Sequence, residues 1–521
     1  MQLSNSNSAA KHVFVASLFF LFALGFRLIF VINLEFPLND GGLFTLMVEE
    51  LVENYFQLPN FTEYNLSNIP YVYPPLGFYL ASTIIKISRI SVLDLMRVLP
   101  PILSSFTVPA FYFLSKRLLK SDLTTLIATG IYVFVPRSWM WLVMGGGLTR
   151  SLGVLFAILG VLFAHRLFQN GNNKDLIWTA VFTSLTILSH PETGVFAVFS
   201  IILIYLIFSR TWMGFYRLFF VGLGTLVLSS VWWLPAILRH GIKPLLAAFG
   251  TSGLGLNFIK EAFLFGITDK FGSHVIATLA IVGFFYLLSQ KKLFIPLWLV
   301  CTLIVTPRSG GNFAVILVAM LGGFAITDVI LPILNKGKPG DKTDGLPVNK
   351  NYSRVALFFI LYMFISIVLS ANMQFYKNDT VLHSLTQKDV AGMEWVAKHT
   401  APDSKFVIIT EYTIWSDYYN EWFPYFAERQ SLNTVQGSEW LPGNSFDINY
   451  TTYYAIRECL GFYPDCLETQ AKEYEIPLTH VYLPKNAGLP LVLDTIEALK
   501  VNKTFTLIYD SPAAAVFEYH P

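Results

Sequence analysis

Asp40 stands in Leu38-Asn39-Asp40-Gly41-Gly42, just beyond the first hydrophobic run, Val13 to Leu34. A carboxylate where an apolar helix leaves a bilayer is costly unless water, a metal or a substrate compensates it. Its natural chemistry is that of a general base, taking the proton of a hydroxyl held within hydrogen-bond reach. The competing local role is a cap on a helix beginning near Gly41, because Asn and Asp are favoured at that position. The turn Ser189-His190-Pro191-Glu192 brings two more titratable groups into apolar surroundings. They could orient a substrate, or they could form a solvated turn in which Pro191 opens the next helix. Arg308, beside Gly310-Gly311, and Arg150, after Gly145-Gly146-Gly147, are cations at helix ends.

The elements that position these residues are membrane helices. Hydrophobic residues make up 54% of the 521-residue chain and charged residues 13%, and the mean hydropathy is +0.54. These values exclude an ordinary soluble domain. The formal net charge of +2 carries no nucleic-acid signal. Runs long enough to cross, by the criterion of roughly 20 apolar residues, predict spans at Val13–Leu34, Val98–Leu118, Leu123–Val135, Leu148–Phe168, Leu176–Ser189, Gly194–Phe208, Phe215–Leu238, His274–Leu288, Leu293–Val305, Phe313–Leu334 and Val355–Ala371. The expected fold is therefore a polytopic α-helical membrane protein of about eleven transmembrane helices. Pro75–Ile90, short and interrupted by Lys86 and Arg89, is read as an interfacial or re-entrant helix. With that choice the basic clusters Lys116–Lys120, His165–Lys174, Arg210–Arg217, Lys291-Lys292 and Lys336–Arg354 all fall inside, as the positive-inside rule asks.

The same topology puts the N-terminus in the cytoplasm of a plasma-membrane protein and leaves outside the loop 35–97, the turn at His190 and Glu192, Arg308 and everything after Asn372. No small-residue cleavage site follows the first run, which is read as a retained signal anchor. Glu49, Glu50 and Glu53 fall on an expected interfacial helix, Leu43–Phe56, as its solvated face. Residues 1–373 form the membrane module and 374–521 an extracytoplasmic soluble α/β domain, with a helix over Asp389–His399, strands at Lys405–Thr410, His480–Leu483, Phe505–Tyr509 and Ala515–Tyr519, and a helix near Leu491–Leu499. Cys459 and Cys466 flank a short segment of that domain and suit a local disulfide. Cys301 is read as an apolar core residue. Asn60, Asn65, Asn378, Asn449 and Asn502 head Asn-x-Ser/Thr triplets on the outer side; Asn351 heads one on the inner side.

With Asn39-Asp40 after the first span, a long outer loop entering a helix at Tyr73-Pro74-Pro75-Leu76, and an external tail domain, the chain resembles the GT-C glycosyltransferases. These include the aminoarabinose lipid A transferases, the protein O-mannosyltransferases and the oligosaccharyltransferases. The resemblance implies transfer of a sugar from a polyprenyl-phosphate-linked donor to a lipid, glycan or protein acceptor at the outer membrane face, with inversion and Asp40 as the base. Such a donor needs a cation at its phosphate, a role that suits Arg. Arg308 is the first candidate and Arg150 the second, with His190 and Glu192 beside the donor; for Arg308 the bland alternative is an Arg snorkelling to the interface. Acceptor contacts would come from Tyr73 and from Trp415, Trp422 and Trp440, whose rings could stack on sugar faces, although an aromatic core would contain such residues too.

The chain departs from the oligosaccharyltransferases in two places. Trp232-Trp233 is followed by Leu234 rather than Asp, and the second outer loop, Pro136–Gly147, has no acidic motif. No cofactor is certain from the sequence; a divalent cation stays open as an alternative but is not indicated. Two other classes stay open at this level. A transporter or flippase of lipid-linked sugars would line a path with Asp40, Arg308 and His190, but the sequence has no evident internal repeat. A non-catalytic assembly subunit would keep the fold without the chemistry.

Overall fold

The computed structural model describes residues 2–251, 274–306, 308–335, 382–461, 465–486 and 490–520. The membrane part is helical from α1 (Gln2–Ile29) onward. Helix α2 (Gly42–Glu53), the short antiparallel pair β1 (Phe61–Thr62) and β2 (Ile69–Pro70), and α3 (Leu76–Ser88) make up the first loop. Next come α4 (Val92–Leu119), α5 (Asp122–Phe134), the single turn α6 (Met140–Val143), α7 (Gly147–Asn170), α8 (Asn173–Ile187), α9 (Pro191–Phe208), α10 (Trp212–His240) and α11 (Lys243–Gly250). After them lie α12 (His274–Ser289), α13 (Phe294–Val305) and α14 (Gly310–Phe324); α14 continues through a wider π-helical segment, Ala325–Ile330, into α15 (Leu331–Asn335).

Every expected span from Val13–Leu34 to Phe313–Leu334 falls on one of these helices, and Val355–Ala371 lies outside the described residues. Among the described residues six helices are long and apolar enough to cross a membrane: Ala9–Ile29, Val92–Leu119, Gly147–Asn170, Pro191–Phe208, Trp212–His240 and Gly310–Ile333. Helix α3 has 13 residues. At 1.5 Å per residue it is about 20 Å long, short of a hydrocarbon core of about 30 Å. It stops at Arg89, which adopts the left-handed conformation at φ 60°.

Several helix starts are written locally. Ser91 and Ser121 accept from the backbone N–H three residues on, at α4 and α5, and Thr211 does the same at α10. His190 caps α9, with Pro191 at its first position, where a missing N–H costs nothing. The membrane core is one apolar cluster running from Ala23 and Phe111 through Ile158 and Phe196 to Trp298 and Phe313. A second cluster joins α2, α3 and the ends of α4 and α7 through Phe44, Met47, Phe78, Leu99 and Leu148.

The C-terminal residues build a five-stranded sheet from β3 (Lys405–Ile408), β4 (Gln430–Ser431), β5 (His480–Pro484), β6 (Phe505–Asp510) and β7 (Ala514–Tyr519), in the order β4-β3-β5-β7-β6. Strand β3 runs parallel to β4 and β5, while β7 is antiparallel to β5 and β6. Around it lie α16 (Gln387–His399), α17 (Tyr418–Ala427), α18 (Ser445–Arg457), α19 (Cys466–Glu473) and α20 (Pro490–Val501). Cys459 and Cys466 are joined by a disulfide.

The sheet domain and the first loop are built into each other. Phe36 lies in the core that α16 and α17 make with β3, β5 and β7, and Leu38 forms a β-bridge with Ser384. Asn65 both donates to and accepts from the Ser431 backbone, at 2.9 and 2.6 Å. That buried amide is a structural tie, so the Asn65 triplet is not a surface glycosylation acceptor.

Candidate active site

Asp40 sits where the first loop, the start of α7 and α17 converge. Asn39 takes the left-handed conformation at φ 49°. Its N–H donates to His383 O at 2.7 Å, its side-chain oxygen accepts from His383 N–H at 2.7 Å, and its carbonyl accepts from Trp422 Nε1–H at 2.7 Å. On the other side Gly145 N–H donates to Leu38 O at 2.9 Å. The two strands of chain approach so closely that a Cβ on Gly145 would lie 2.1 Å from the Asp40 carbonyl oxygen, so only glycine fits there.

The Asp40 carboxylate is held at both oxygens. Oδ1 accepts from Gly146 N–H at 3.0 Å, and Oδ2 pairs with Nη2 of Arg150. Arg150, 8% exposed, also donates from Nη1 to Trp141 O at 3.1 Å and lies over the Trp141 ring, 4.8 Å from its centroid. Asp40 does not cap α2, against the local expectation. The cap position is Gly41 at φ 136°, with no side-chain bond of its own. Gly41 N–H instead donates to Oε1 of Glu421, on α17, at 3.1 Å.

The other ionisable groups gather around this pair. Glu421, Arg308 and Glu192 all lie close enough to act on the charge of Arg150. Glu192 accepts from Ser309 Oγ and faces Arg308 Nε at 3.9 Å. Arg308 reaches Thr251 Oγ1 at 3.5 Å and lies over Trp415, 4.9 Å from the ring centroid. His190 Nδ1 is hydrogen-bonded to Thr193 Oγ1 at 2.9 Å, and its ring meets Trp141 edge-on. Burial, with the Arg150 and Arg308 charges, pushes the His190 imidazole down to about 3, so it is neutral at physiological pH. Tyr73 OH bonds Thr149 Oγ1 at 3.2 Å, near enough to feel Glu439, Glu192 and Arg308. The start of α3 is tied to the His190 turn by Leu76 N–H donating to Leu188 O at 3.0 Å.

Burial pushes the Glu421 carboxyl up to about 7 against the bond from Gly41 N–H, with the nearby Glu439 carboxyl adding to the rise and Arg150 opposing it. Glu439 is half-buried and raised in the same way.

The structure thus brings Asp40, Arg150, His190, Glu192, Arg308 and Tyr73 into one neighbourhood, and of the three candidates Trp415, Trp422 and Trp440 it leaves Trp415 as an open ring, 52% exposed. Trp422 is fully buried in the C-terminal core and Trp440 packs edge-on against Tyr73, so neither presents a free face for stacking. Both are framework: Trp422 Nε1–H holds the Asn39 carbonyl, and Trp440 is buried against Tyr73. The solvated face expected for α2 holds at Glu53, which is exposed, and is corrected at Glu49 and Glu50. Glu49 accepts from Tyr425 OH at 2.9 Å, and Glu50 accepts from Thr62 Oγ1 and Glu63 N–H at 2.9 and 2.8 Å. Burial pushes Glu50 up to about 7. From sequence Glu421 reads, with Glu411, Asp417 and Glu439, as an acid at the edge of sugar-facing rings; its contact with Gly41 N–H was not legible there. Among the described residues no three His, Cys, Asp or Glu side chains converge as metal ligands.

The arrangement of apolar helices, a folded first loop and a C-terminal sheet is similar in fold to solved membrane glycosyltransferases of the GT-C type. The chain superposes on Archaeoglobus fulgidus oligosaccharyltransferase, solved with Zn and sulfate, at 14% identity and a TM-score of 0.51, covering 97% of this chain and 73% of that one. With ArnT from Cupriavidus metallidurans bound to undecaprenyl phosphate the identity is 10%, the TM-score 0.53 and the coverage 98% of both chains. With the arabinofuranosyltransferase AftD from Mycobacteria they are 12% and 0.50, over 96% of this chain and 41% of that one. The family model of dolichyl-phosphate-mannose-protein mannosyltransferases matches residues 72–234, a stretch that includes Tyr73, Arg150, His190 and Glu192 and begins after Asp40. No curated protein sequence matches the chain. The resemblance read from Asn39-Asp40 and Tyr73–Leu76 therefore holds at the level of the fold.

Proposed function

We propose that the chain is an inverting glycosyltransferase that moves a sugar from a polyprenyl-phosphate-linked donor to a lipid, glycan or protein hydroxyl at the outer face of the plasma membrane. The observation that carries this reading is the Asp40 carboxylate, excused from helix capping and held by Gly146 and Arg150 beside Arg308, Glu192 and His190. In the reaction the acceptor oxygen bonds to the anomeric carbon on the side opposite the phosphate. Its proton passes to Asp40, and the bond from the anomeric carbon to the phosphate oxygen breaks, leaving its electron pair on the phosphate. One displacement inverts the configuration.

Arg150 links the two ends of that step. Its guanidinium has donors enough to serve a phosphate as well as Asp40. A phosphate that draws it away leaves the carboxylate more basic at the moment a base is needed. Arg308 supplies the second cation, and neutral His190 can hydrogen-bond the sugar without adding charge. Trp415, exposed beside Arg308, offers a face to the acceptor or the donor sugar.

The test is transfer of radiolabelled sugar from a panel of polyprenyl-phosphate monosaccharides by the purified full chain in lipid. Wild type should consume one donor, and Asp40→Asn, which keeps the size and removes the base, should lose about 10²- to 10⁴-fold in turnover while still binding it. No donor consumed by wild type, or an equally active Asp40→Asn, overturns the reading.

A further inference from the structure

The first backbone N–H groups of α2 have no partner within the helix, and such a helix start is normally capped by the residue just before it. Here that local cap is absent. The carboxylate at this helix start comes from Glu421, 380 residues further along the chain. It accepts from Gly41 N–H at 3.1 Å and also interacts with the N–H of Leu43. The fit is close on every side. A Cβ on Gly42 would lie 2.5 Å from the Glu421 carbonyl oxygen, that carbonyl accepts from Tyr64 OH at 2.6 Å, and the neighbouring Trp422 holds the Asn39 carbonyl at 2.7 Å.

We infer that Glu421 is a positioning residue for the Asp40 site: by capping α2 from the C-terminal domain it relieves Asp40 of that role and leaves the Asp40 carboxylate turned toward Gly146 and Arg150. The inference rests on the glycosyl-transfer reading for its kinetic consequence and on geometry alone for its structural one. Without Glu421 the capping-type side chain adjacent in sequence to the helix start is that of Asp40. Satisfying those N–H groups would rotate it away from Arg150, and a displacement of about 1 Å at a reacting group costs turnover by about 10²-fold.

The carboxyl also makes the site sensitive to pH. The groups that face it are Arg150 from α7, Glu439 from the Ser438–Trp440 turn, the Tyr64 phenol, and the Gly41 and Leu43 amides. A carboxyl whose burial outweighs its hydrogen bonds stays protonated up to about 7, and only above that is it the full acceptor that the cap needs. Turnover should therefore rise with pH through that range on account of Glu421, separately from any titration of the base.

Two measurements on the full chain in lipid nanodiscs decide the matter. Steady-state transfer from the accepted polyprenyl-phosphate sugar is followed from pH 5.5 to 8.5 for wild type, Glu421→Ala and Glu421→Gln, and backbone amide exchange is followed for the segment 38–46. Glu421→Ala should lower kcat by about tenfold to a hundredfold with donor KM changed less than about twofold, and should speed exchange in that segment. Glu421→Gln, which keeps an acceptor and cannot titrate, should recover kcat to within about fivefold and flatten the rise near pH 7. Exchange unchanged in Glu421→Ala overturns the inference, as does a Glu421→Gln enzyme that keeps the wild-type pH profile. If wild type consumes no donor, the glycosyl-transfer reading falls, and the exchange experiment still decides the positioning.

Discussion

The site contains two carboxylate–arginine pairs of opposite character. Asp40 and Arg150 are enclosed: the carboxylate has a backbone N–H on one oxygen and the guanidinium on the other, and the guanidinium is further fixed by a carbonyl and an indole face. Glu192 and Arg308 are loose. Their closest approach is 3.9 Å, Arg308 is 39% exposed, and its remaining partners are a distant hydroxyl and the exposed Trp415. A charge fixed by several short contacts is organised before substrate arrives and loses nothing by reorganising during reaction. A charge on a long, half-solvated side chain can follow a headgroup of variable shape, at the expense of energy per contact. The enclosed pair therefore suits the proton and the bond being broken, and the open pair suits recognition.

The sharpest way to break this comparison is Arg150→Met. It leaves Asp40, whose side chain is 21% exposed, with one partner, and removing one member of a largely buried pair costs up to about 3–5 kcal/mol. Turnover should fall by at least about 10²-fold, and thermal unfolding of the purified protein should move down by several degrees. A variant with wild-type turnover would show that the pair is structural decoration and that Arg308 alone meets the donor.

Much of this arrangement was legible in the sequence, for identifiable reasons. Asp40 declares itself because a carboxylate at the exit of an apolar helix is expensive, and Arg150 because it follows three glycines that let two chain segments touch. Six of the described helices coincide with apolar runs because a bilayer imposes a length, and the other runs form shorter apolar helices. Strands β3, β5, β6 and β7 fall on the expected short apolar runs, because β3, β5 and β7 are buried along nearly their whole length and need apolar side chains there. What could not be read were the ties between distant segments. Nothing near Gly41 says that its cap is Glu421. Nothing in the composition separates Trp415, which is exposed, from Trp422, which is fully buried. Glu49 and Glu50 read as a wet helix face because Tyr425 and the Thr62–Glu63 turn that cover them are remote in sequence or lack a strong pattern.

Arg308→Gln sharpens the comparison from the open side. The substitution keeps hydrogen-bond donors and removes the charge, so under the proposed function the donor phosphate would lose one exposed ionic contact. Donor KM should rise by about threefold to tenfold with kcat reduced less than about threefold, and the donor KM of wild type should be the more sensitive of the two to added salt. A loss of kcat as large as that of Arg150→Met would erase the distinction between the two pairs and make Arg308 a direct participant in leaving-group stabilisation.

The smallest expected effect belongs to Trp415→Ala, and its sign carries the information. The ring lies under Arg308 from a loop of the C-terminal domain, and at an exposed site such a cation–π contact is worth about 0.5–1 kcal/mol. If Trp415 only steadies Arg308, removing it should raise donor KM by about twofold to fivefold, and the effect should vanish in the Arg308→Gln background, because the two side chains then act as one unit. If the ring also stacks on a sugar, part of the loss should persist in that background and should appear in the KM of whichever substrate carries that sugar. A double-mutant cycle on both KM values separates the two. Persistence of the acceptor term alone would assign the open pair's arginine to the donor and the tryptophan beneath it to the acceptor, and so divide recognition between the membrane helices and the C-terminal domain.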